Sequence, residues 1–505
     1  MPITESLAET IAGTSLDAGS ASVAALGQAL SAGTLTAAAL TAYYLSRIDR
    51  LNPGLRAVIS VSPQAAAEAA ASDERRAAGQ ARGPLDGIPV LVKDNVSVTG
   101  LPATAGSPAL SAAAGPEAFC VTRLRAAGAV VLGKANLSEW ANFRSRNSSS
   151  GWSTLGGQAV NPHGPGRNPS GSSSGSGVAV AAGLAPLTIG TETDGSIVSP
   201  AAACGIVGVK PTLGLVSRTG IVPISAAQDT AGPMARSVAD AAVMLTAMTG
   251  ADTADPATAD GAGQAADYAA SLDPAALAGA RLGVWRDGSA QADRVTAAVL
   301  DAAIARLRAC GADVVDAVDL PGADKIGEPE YTALRQEFKH DLNAYLAALP
   351  GEHPATLAEL IAYNDAHAAT VLEHFGQDIF EAAQATSGNL DDADYLSART
   401  EARRLARGAL DTALAGSRLD AVVSLTGSPA WLTDHVLGDH HTFGTSSPAA
   451  VAGYPAITVP AGRVSGLPVG ISLAGPAWSE ARLIALAYAF ELAGQPGRGS
   501  DGARG

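Results

Sequence analysis

Cysteine is scarce in this chain: three in 505 residues, at Cys120, Cys204 and Cys310, far apart and with no CxxC pair. That excludes a disulfide framework and a thiolate metal site, and leaves each as a small apolar residue. Charge is thin as well, at 16% of residues, and the balance is acidic, with a formal net charge of −15. No run of Lys and Arg exists to track phosphates, so nucleic acid is not an expected partner. The acidity reads as a solvated surface. Long apolar runs are missing too, which excludes a membrane-spanning helix. The first twenty residues, MPITESLAETIAGTSLDAGS, carry neither a basic segment nor an apolar core, so no signal peptide is expected. These absences point to a cytoplasmic protein with no membrane partner; a monomer or homodimer is the expectation.

What is present is a hydrophobic content of 47% over a length ample for a large core. Apolar strand-like runs alternate with Ala-rich helical ones. Strands are expected at 55–61, 88–95, 129–133, 187–190, 206–209, 281–285, 313–318, 421–425, 456–459 and 470–473. Helices are expected at 21–30, 35–51, 63–78, 117–127, 178–184, 237–249, 295–309 and 479–493. That alternation predicts an α/β fold: one large mixed, mostly parallel twisted sheet with helices on both faces. Residues 1–20 read as a flexible leader, 21–495 as one domain with a helical subregion at about 329–414, and 496–505 as a tail. The polar stretch 142–169 reads as a long loop, of the kind more often functional than idle.

The chemistry is densest in Ser170–Ala201, SGSSSGSGVAVAAGLAPLTIGTETDGSIVSPA. A loop nearly free of bulky side chains lets backbone approach a ligand closely. It leads into an apolar helix, then a short strand, then a second polar turn holding Ser196. By itself such a loop is a linker or an anion cradle. It lacks the GK[ST] ending of a nucleotide P-loop. Gly171–Gly175 fits GxSxG, but the preceding NPHGPGRNP cannot be the strand that a nucleophile elbow requires.

The pattern resembles the amidase signature family of serine hydrolases, whose motif runs GGSSGGS, an apolar helix, then GTDTGGSIRxPA. Ser172 matches the family's cis-serine and Ser196 its nucleophile, 24 residues later. GIPVLVKDN resembles the family's lysine motif and places Lys93 103 residues before Ser196. Three positions depart: Ser170 and Asp194 stand where glycine is usual, and Val198 where arginine is usual. The stretches GTETDGSIV, SAAQDTAGPMARSVADA, EFKHDLNAYL, FGQDIF and SPAAVAGYP are similar to the family's bacterial peptide amidases.

The resemblance implies hydrolysis of an amide by a Ser196–Ser172–Lys93 triad, with the Gly171–Ser172 peptide bond cis and no cofactor or metal. It also implies an oxyanion site from the backbone N–H groups of Thr193, Asp194, Gly195 and Ser196, with Ser173 and Thr191 supporting the triad. Burial can lower a lysine's pKa enough for base work, and a bridging hydroxyl both donates and accepts. The expected ligand is a small-molecule or peptide amide. Alternatives are the glutaminase (A) subunit of a tRNA-dependent amidotransferase and a non-catalytic binding protein. Elsewhere, Asp434, His435, Asp439, His440 and His441 hint at a metal cluster but read as loop residues beside the substrate entrance. Glu192 and Asp194 need not face each other, and Trp152 and Trp431 read as packing residues.

Overall fold

The computed structural model describes residues 11, 16–17, 20–261 and 263–495. The expected leader, apart from residues 11, 16, 17 and 20, and the expected tail lie outside the described residues. Among the described residues thirteen strands form: β1 Val58–Val61, β2 Pro89–Lys93, β3 Val130–Ala135, β4 Trp152–Ser153, β5 Gly157–Gln158, β6 Leu187–Glu192, β7 Val207–Lys210, β8 Thr230–Ala235, β9 Arg281–Val284, β10 Asp313–Asp316, β11 Ala421–Leu425, β12 Ala456–Val464 and β13 Leu467–Ala474. Eleven of them make one sheet in the order β1-β3-β2-β6-β8-β7-β12-β13-β11-β9-β10, while β4 and β5 pair apart.

The large mixed sheet is present, but parallel pairs are a minority. Parallel pairing is confined to β3-β2-β6 and β11-β9-β10. The other six neighbouring pairs are antiparallel. The βα alternation holds at the two parallel groups. In between, β12 and β13 form a hairpin whose turn, Ser465-Gly466, has positive φ at both residues. Strand β8 is not among the expected strands, because TAGPMA carries Gly232 and Pro233. It forms because its ladder to β7 ends at Met234, so Pro233 pairs on the β6 side only.

Two faces are covered. Along β11, Ala421 and Val423 join the main core while Val422 joins a second apolar cluster; along β12, Ile457 and Val459 oppose Ala456 in the same way. Successive side chains of a strand point to opposite faces, so the two clusters lie on opposite sides of the sheet. Helices Arg294–Ala309 and Glu480–Ala493 pack on the main core, and Ala393–Gly416 covers the other face.

The helical subregion comprises Gly327–Ala348, Leu357–Ala366, Ala368–Val371, Asp378–Gln384 and Ala393–Gly416. Helix Ala37–Leu55 is capped by Thr36, which accepts from Ala39 N at 3.0 Å. It runs past Pro53, beyond its expected end. The proline falls in the last turn, and the Asn52 side chain takes up the N–H groups of Ala57 and Val58 at 2.8 Å each. Cys120 and Cys204 are buried and Cys310 half-buried, all as free thiols. Among the described residues no helix is long and apolar enough to cross a membrane.

Val198, at the position where the family usually has arginine, is buried in the second cluster with Leu320, Leu410, Val422 and Ala449. Val198→Arg would bury an unpaired guanidinium there. Denaturant unfolding should show a loss of about 3 kcal/mol or more, whereas Val198→Ile should cost under about 1.5 kcal/mol.

Candidate active site

Strands β2 and β6 are parallel neighbours, with Val92 opposite Ile189. Their C-terminal ends therefore deliver Lys93 and Thr191 side by side, at the edge where α/β sheets hold ligands. Lys93 is completely buried. Its Nζ donates to Ser172 Oγ at 2.8 Å, to Thr191 Oγ1 at 2.8 Å and to Thr191 O at 3.2 Å. Desolvation lowers its pKa to about 7, against the opposing pull of the Glu192 and Asp229 carboxylates. The Thr191 hydroxyl is also gripped by Asn95 Nδ2 at 2.9 Å.

Ser172 sits where the serine-rich segment enters a helix. That helix, expected from Val178, begins at Ser174 and ends at Ala181. The serines themselves hold it in place. Ser174 Oγ donates to Ser170 O at 2.6 Å, and Ser176 Oγ donates to Ile189 O of β6 at 2.9 Å. The Gly171–Ser172 peptide bond is cis. A Cβ at Gly171 would lie 2.2 Å from Ser138 Oγ, so only glycine fits. Ser173 bridges the two serine segments. Its hydroxyl donates to Thr191 O at 3.1 Å and accepts from Thr191 N at 3.2 Å, and its N–H donates to Ser196 O at 3.1 Å.

The second turn runs from Thr193 to Ser196. Glu192 closes its base: Oε2 accepts from Ile197 N at 2.7 Å and Val198 N at 3.0 Å. Gly195 takes φ +79°, and a Cβ there would meet Ser446 Oγ at 2.9 Å and Ser199 Oγ at 3.0 Å. Ser446 and Ser447 both donate to the Asp194 carboxylate. Glu192 and Asp194 thus turn to different partners. Among the described residues, the N–H groups of Asp194, Gly195 and Ser196 donate to no protein acceptor. Buried or half-buried N–H groups without partners are rare unless something else is meant to accept from them.

Thr193, Asp194, Gly195 and Ser196 line a cavity of about 420 Å³. Its apolar wall includes Phe143, Ile224, Leu334, Trp431 and Phe443. Among the described residues, its charged or titratable lining groups are Asp194, Asp439 and His441, with neither Lys nor Arg. Trp431, read from sequence as packing, is a wall of this cavity; its Nε1 donates to Asp439 at 3.2 Å. Trp152 does pack, edge-on to His374 and Phe375. Asp439 also accepts from Ser150 N at 2.9 Å and Ser150 Oγ at 2.5 Å, and burial raises its pKa. Asp434 instead accepts from His440, and His435 stacks on His374. Among the described residues no three His, Cys, Asp or Glu side chains are placed to hold a metal.

The structure thus gathers Lys93, Ser172, Ser173 and Thr191 into one hydrogen-bonded cluster and sets Thr193–Ser196 along the adjoining cavity. It does not hydrogen-bond the Ser172 and Ser196 side chains to each other; Ser173 links the two segments. Sequence reasoning missed Gln228 and Asp229, which bind Thr193, and the serine pair on Asp194. Their only signal was their place inside SAAQDTAGPM and beside SPAAVAGYP.

The chain is similar to known proteins along most of its length. The Amidase family model matches residues 39–484. A probable amidase of Arabidopsis thaliana is 41% identical over 91% of this chain and 87% of its own. The A subunit of glutamyl-tRNA(Gln) amidotransferase from an Azoarcus species is 37% identical over 94% of this chain and 98% of its own. Among solved structures, the native peptide amidase of Stenotrophomonas maltophilia is 50% identical, covering 93% of this chain and 96% of that one, with a TM-score of 0.88. A peptide amidase in complex with the competitive inhibitor chymostatin is 51% identical over 93% and 97%, with a TM-score of 0.90. The chain belongs to the amidase signature family and is an amide-hydrolysing enzyme.

Proposed function

We propose that this enzyme cleaves carboxamides through an acyl-Ser196 intermediate and that C-terminal peptide amides are its substrate class. The observation that carries the reading is a desolvated lysine amine bonded to Ser172, beside a cavity that holds Ser196 and three N–H groups without acceptors. A lysine with a pKa near 7 is neutral in about half of the molecules at neutral pH, so it can act as a base.

The sequence of steps follows from those positions. On substrate binding the Ser196 hydroxyl turns to Ser172; contacts of this kind are often open in the free enzyme. Neutral Lys93 takes the Ser172 proton as Ser172 takes that of Ser196, and Ser196 Oγ bonds to the amide carbon. The carbonyl electron pair moves onto oxygen, for which the N–H groups of Thr193, Asp194, Gly195 and Ser196 are the proposed donors. Fixed donors of this kind contribute on the order of 3 kcal/mol each. When the C–N bond breaks, the proton returns from Lys93 through Ser172 to the leaving nitrogen, and ammonia departs. Water then attacks the ester; its proton follows the same relay and restores Ser196. Thr191 and Ser173 hold the relay in register.

The similarity to peptide amidases and the largely apolar cavity wall support a peptidyl carboxamide. A second reading, ammonia release from glutamine, draws on the similarity to the amidotransferase chain. The cavity disfavours it. Free glutamine brings an α-ammonium, which suits the lining carboxylates, and an α-carboxylate, for which the lining offers neither Lys nor Arg. A C-terminal amide has no such charge.

Purified enzyme should release ammonia from an N-acylated dipeptide amide, unaffected by chelator, and should act on free glutamine at least about a hundredfold more slowly in kcat/KM. Ser196→Ala and Lys93→Met should each lower kcat by about a thousandfold or more with an intact thermal transition. Full turnover in either variant would sink the mechanism. The pH dependence has a definite sign. The protonated amine cannot accept a proton, so kcat/KM should fall about tenfold per unit below pH 7 and level off above it. A profile that stays flat from pH 5 to pH 8 would contradict Lys93 as the base.

A further inference from the structure

Gln228 and Asp229, in the SAAQDTAGPM stretch, lie behind the Thr193–Ser196 turn and touch no part of the cavity that holds Ser196. Yet both hold Thr193. Gln228 Nε2 donates to Thr193 O at 2.9 Å, and the Thr193 hydroxyl donates to Asp229 Oδ1 at 2.6 Å. Neither partner is free to swing. Asp229 Oδ2 accepts from Ile224 N at 2.8 Å and Ser225 N at 2.9 Å. The Gln228 amide is fixed at both ends: its oxygen accepts from Arg399 Nη1 at 2.8 Å, and its nitrogen also donates to Glu330 Oε1 at 2.6 Å.

The brace continues into the helical subregion. The Arg399 guanidinium pairs with Glu337, both buried, and Glu337 also accepts from Tyr395 OH at 2.8 Å and Ser225 Oγ at 2.6 Å. Every heteroatom on the path from helix Ala393–Gly416 to Thr193 therefore has a stated partner. The same subregion supplies Leu334 to the cavity wall.

The consequence is geometric. The carbonyl of Thr193 and the N–H of Asp194 are two ends of one planar peptide and point in opposite directions. Fixing the carbonyl on the Gln228 side aims that N–H to the other side. From this we infer that Gln228, with Asp229, is a positioning residue that sets the direction of the Asp194 N–H at the developing oxyanion, with Arg399 and Glu337 orienting the Gln228 amide. The inference rests on the acyl-serine reading above. It assigns a task to a stretch that the triad leaves unused. It also explains why the Asp194 N–H stays open without turning onto an internal acceptor.

The test separates positioning from folding. Gln228→Met keeps the volume and removes all three hydrogen bonds of the amide. It should lower kcat on a peptide amide about tenfold and weaken binding of a peptide aldehyde, whose serine adduct carries the oxyanion, by a similar factor. KM should change less than twofold. A purely structural residue would instead shift the melting temperature and leave aldehyde affinity and KM in step. Should Gln228→Met fail to fold, Thr193→Val serves: it removes the hydroxyl held by Asp229 and should show the same split, while Thr193→Ser restores wild-type values. Wild-type turnover with unchanged kcat and aldehyde affinity in these variants overturns the positioning role and leaves the hydrolase reading standing. A wild-type enzyme that neither hydrolyses amides nor binds the aldehyde overturns both.

Discussion

The site depends on taking one amine out of water without giving it a counter-ion. The neighbouring strand shows the alternative. Lys134, on β3, is as deeply buried as Lys93, but its Nζ lies 3.3 Å from Asp94 Oδ1 and also donates to the carbonyls of Val96 and Pro102. Asp94 follows Lys93 in the chain, yet consecutive side chains of an extended segment diverge, and the carboxylate serves Lys134. Lys93 is left with two hydroxyls and a carbonyl. An ammonium among neutral dipoles pays nearly the full cost of desolvation, and losing the proton is the way to reduce it. Burial lowers the pKa of both lysines, but Asp94 opposes that shift at Lys134, so the one-residue offset between Lys93 and Asp94 separates an ion-paired lysine from the one proposed as the base.

Packing around that amine asks for small polar groups rather than apolar bulk. Ser173, Ser174 and Ser176 donate to carbonyls of β6 and of their own segment, so these three buried hydroxyls are satisfied. Gly175 lets the helix start press against Asn136, where a Cβ would lie 2.4 Å from the Asn136 carbonyl oxygen. The serine-rich run is therefore both a close-packed joint and the carrier of Ser172. A larger side chain at most of these positions would push the relay away from Lys93, which β2 holds rigidly.

Much of this was legible from residue order. Spacing and motif picked out Lys93, Ser172, Ser196, Ser173 and Thr191, and the structure brings all but Ser196 into one hydrogen-bonded cluster, with Ser196 tied on through Ser173. Strands such as Ala421–Leu425 showed as apolar runs because both of their faces are covered. Other features were hidden for physical reasons. Strand β8 carries a proline whose tolerance depends on where a neighbouring ladder stops, which is a property of register and not of local sequence. Gln228, Asp229, Ser446 and Trp431 reach the turn or the cavity only through contacts across the fold; the SAAQDTAGPM and SPAAVAGYP stretches stand out in the sequence, but not the contacts their residues make.

The aspartate at position 194 shows how such a distant contact can matter. A carboxylate in a tight turn ordinarily folds back to accept N–H groups one to three residues ahead. Here that would place an anion where the proposed oxyanion forms and occupy the donors of Gly195 and Ser196. Ser446 and Ser447, some 250 residues later in the chain, take both carboxylate oxygens instead. The donors stay open because the carboxylate finds stronger partners outside the turn. Glycine at this position would need no such arrangement. Aspartate therefore requires the two serines, and through them it ties the turn to the segment that closes the far side of the cavity.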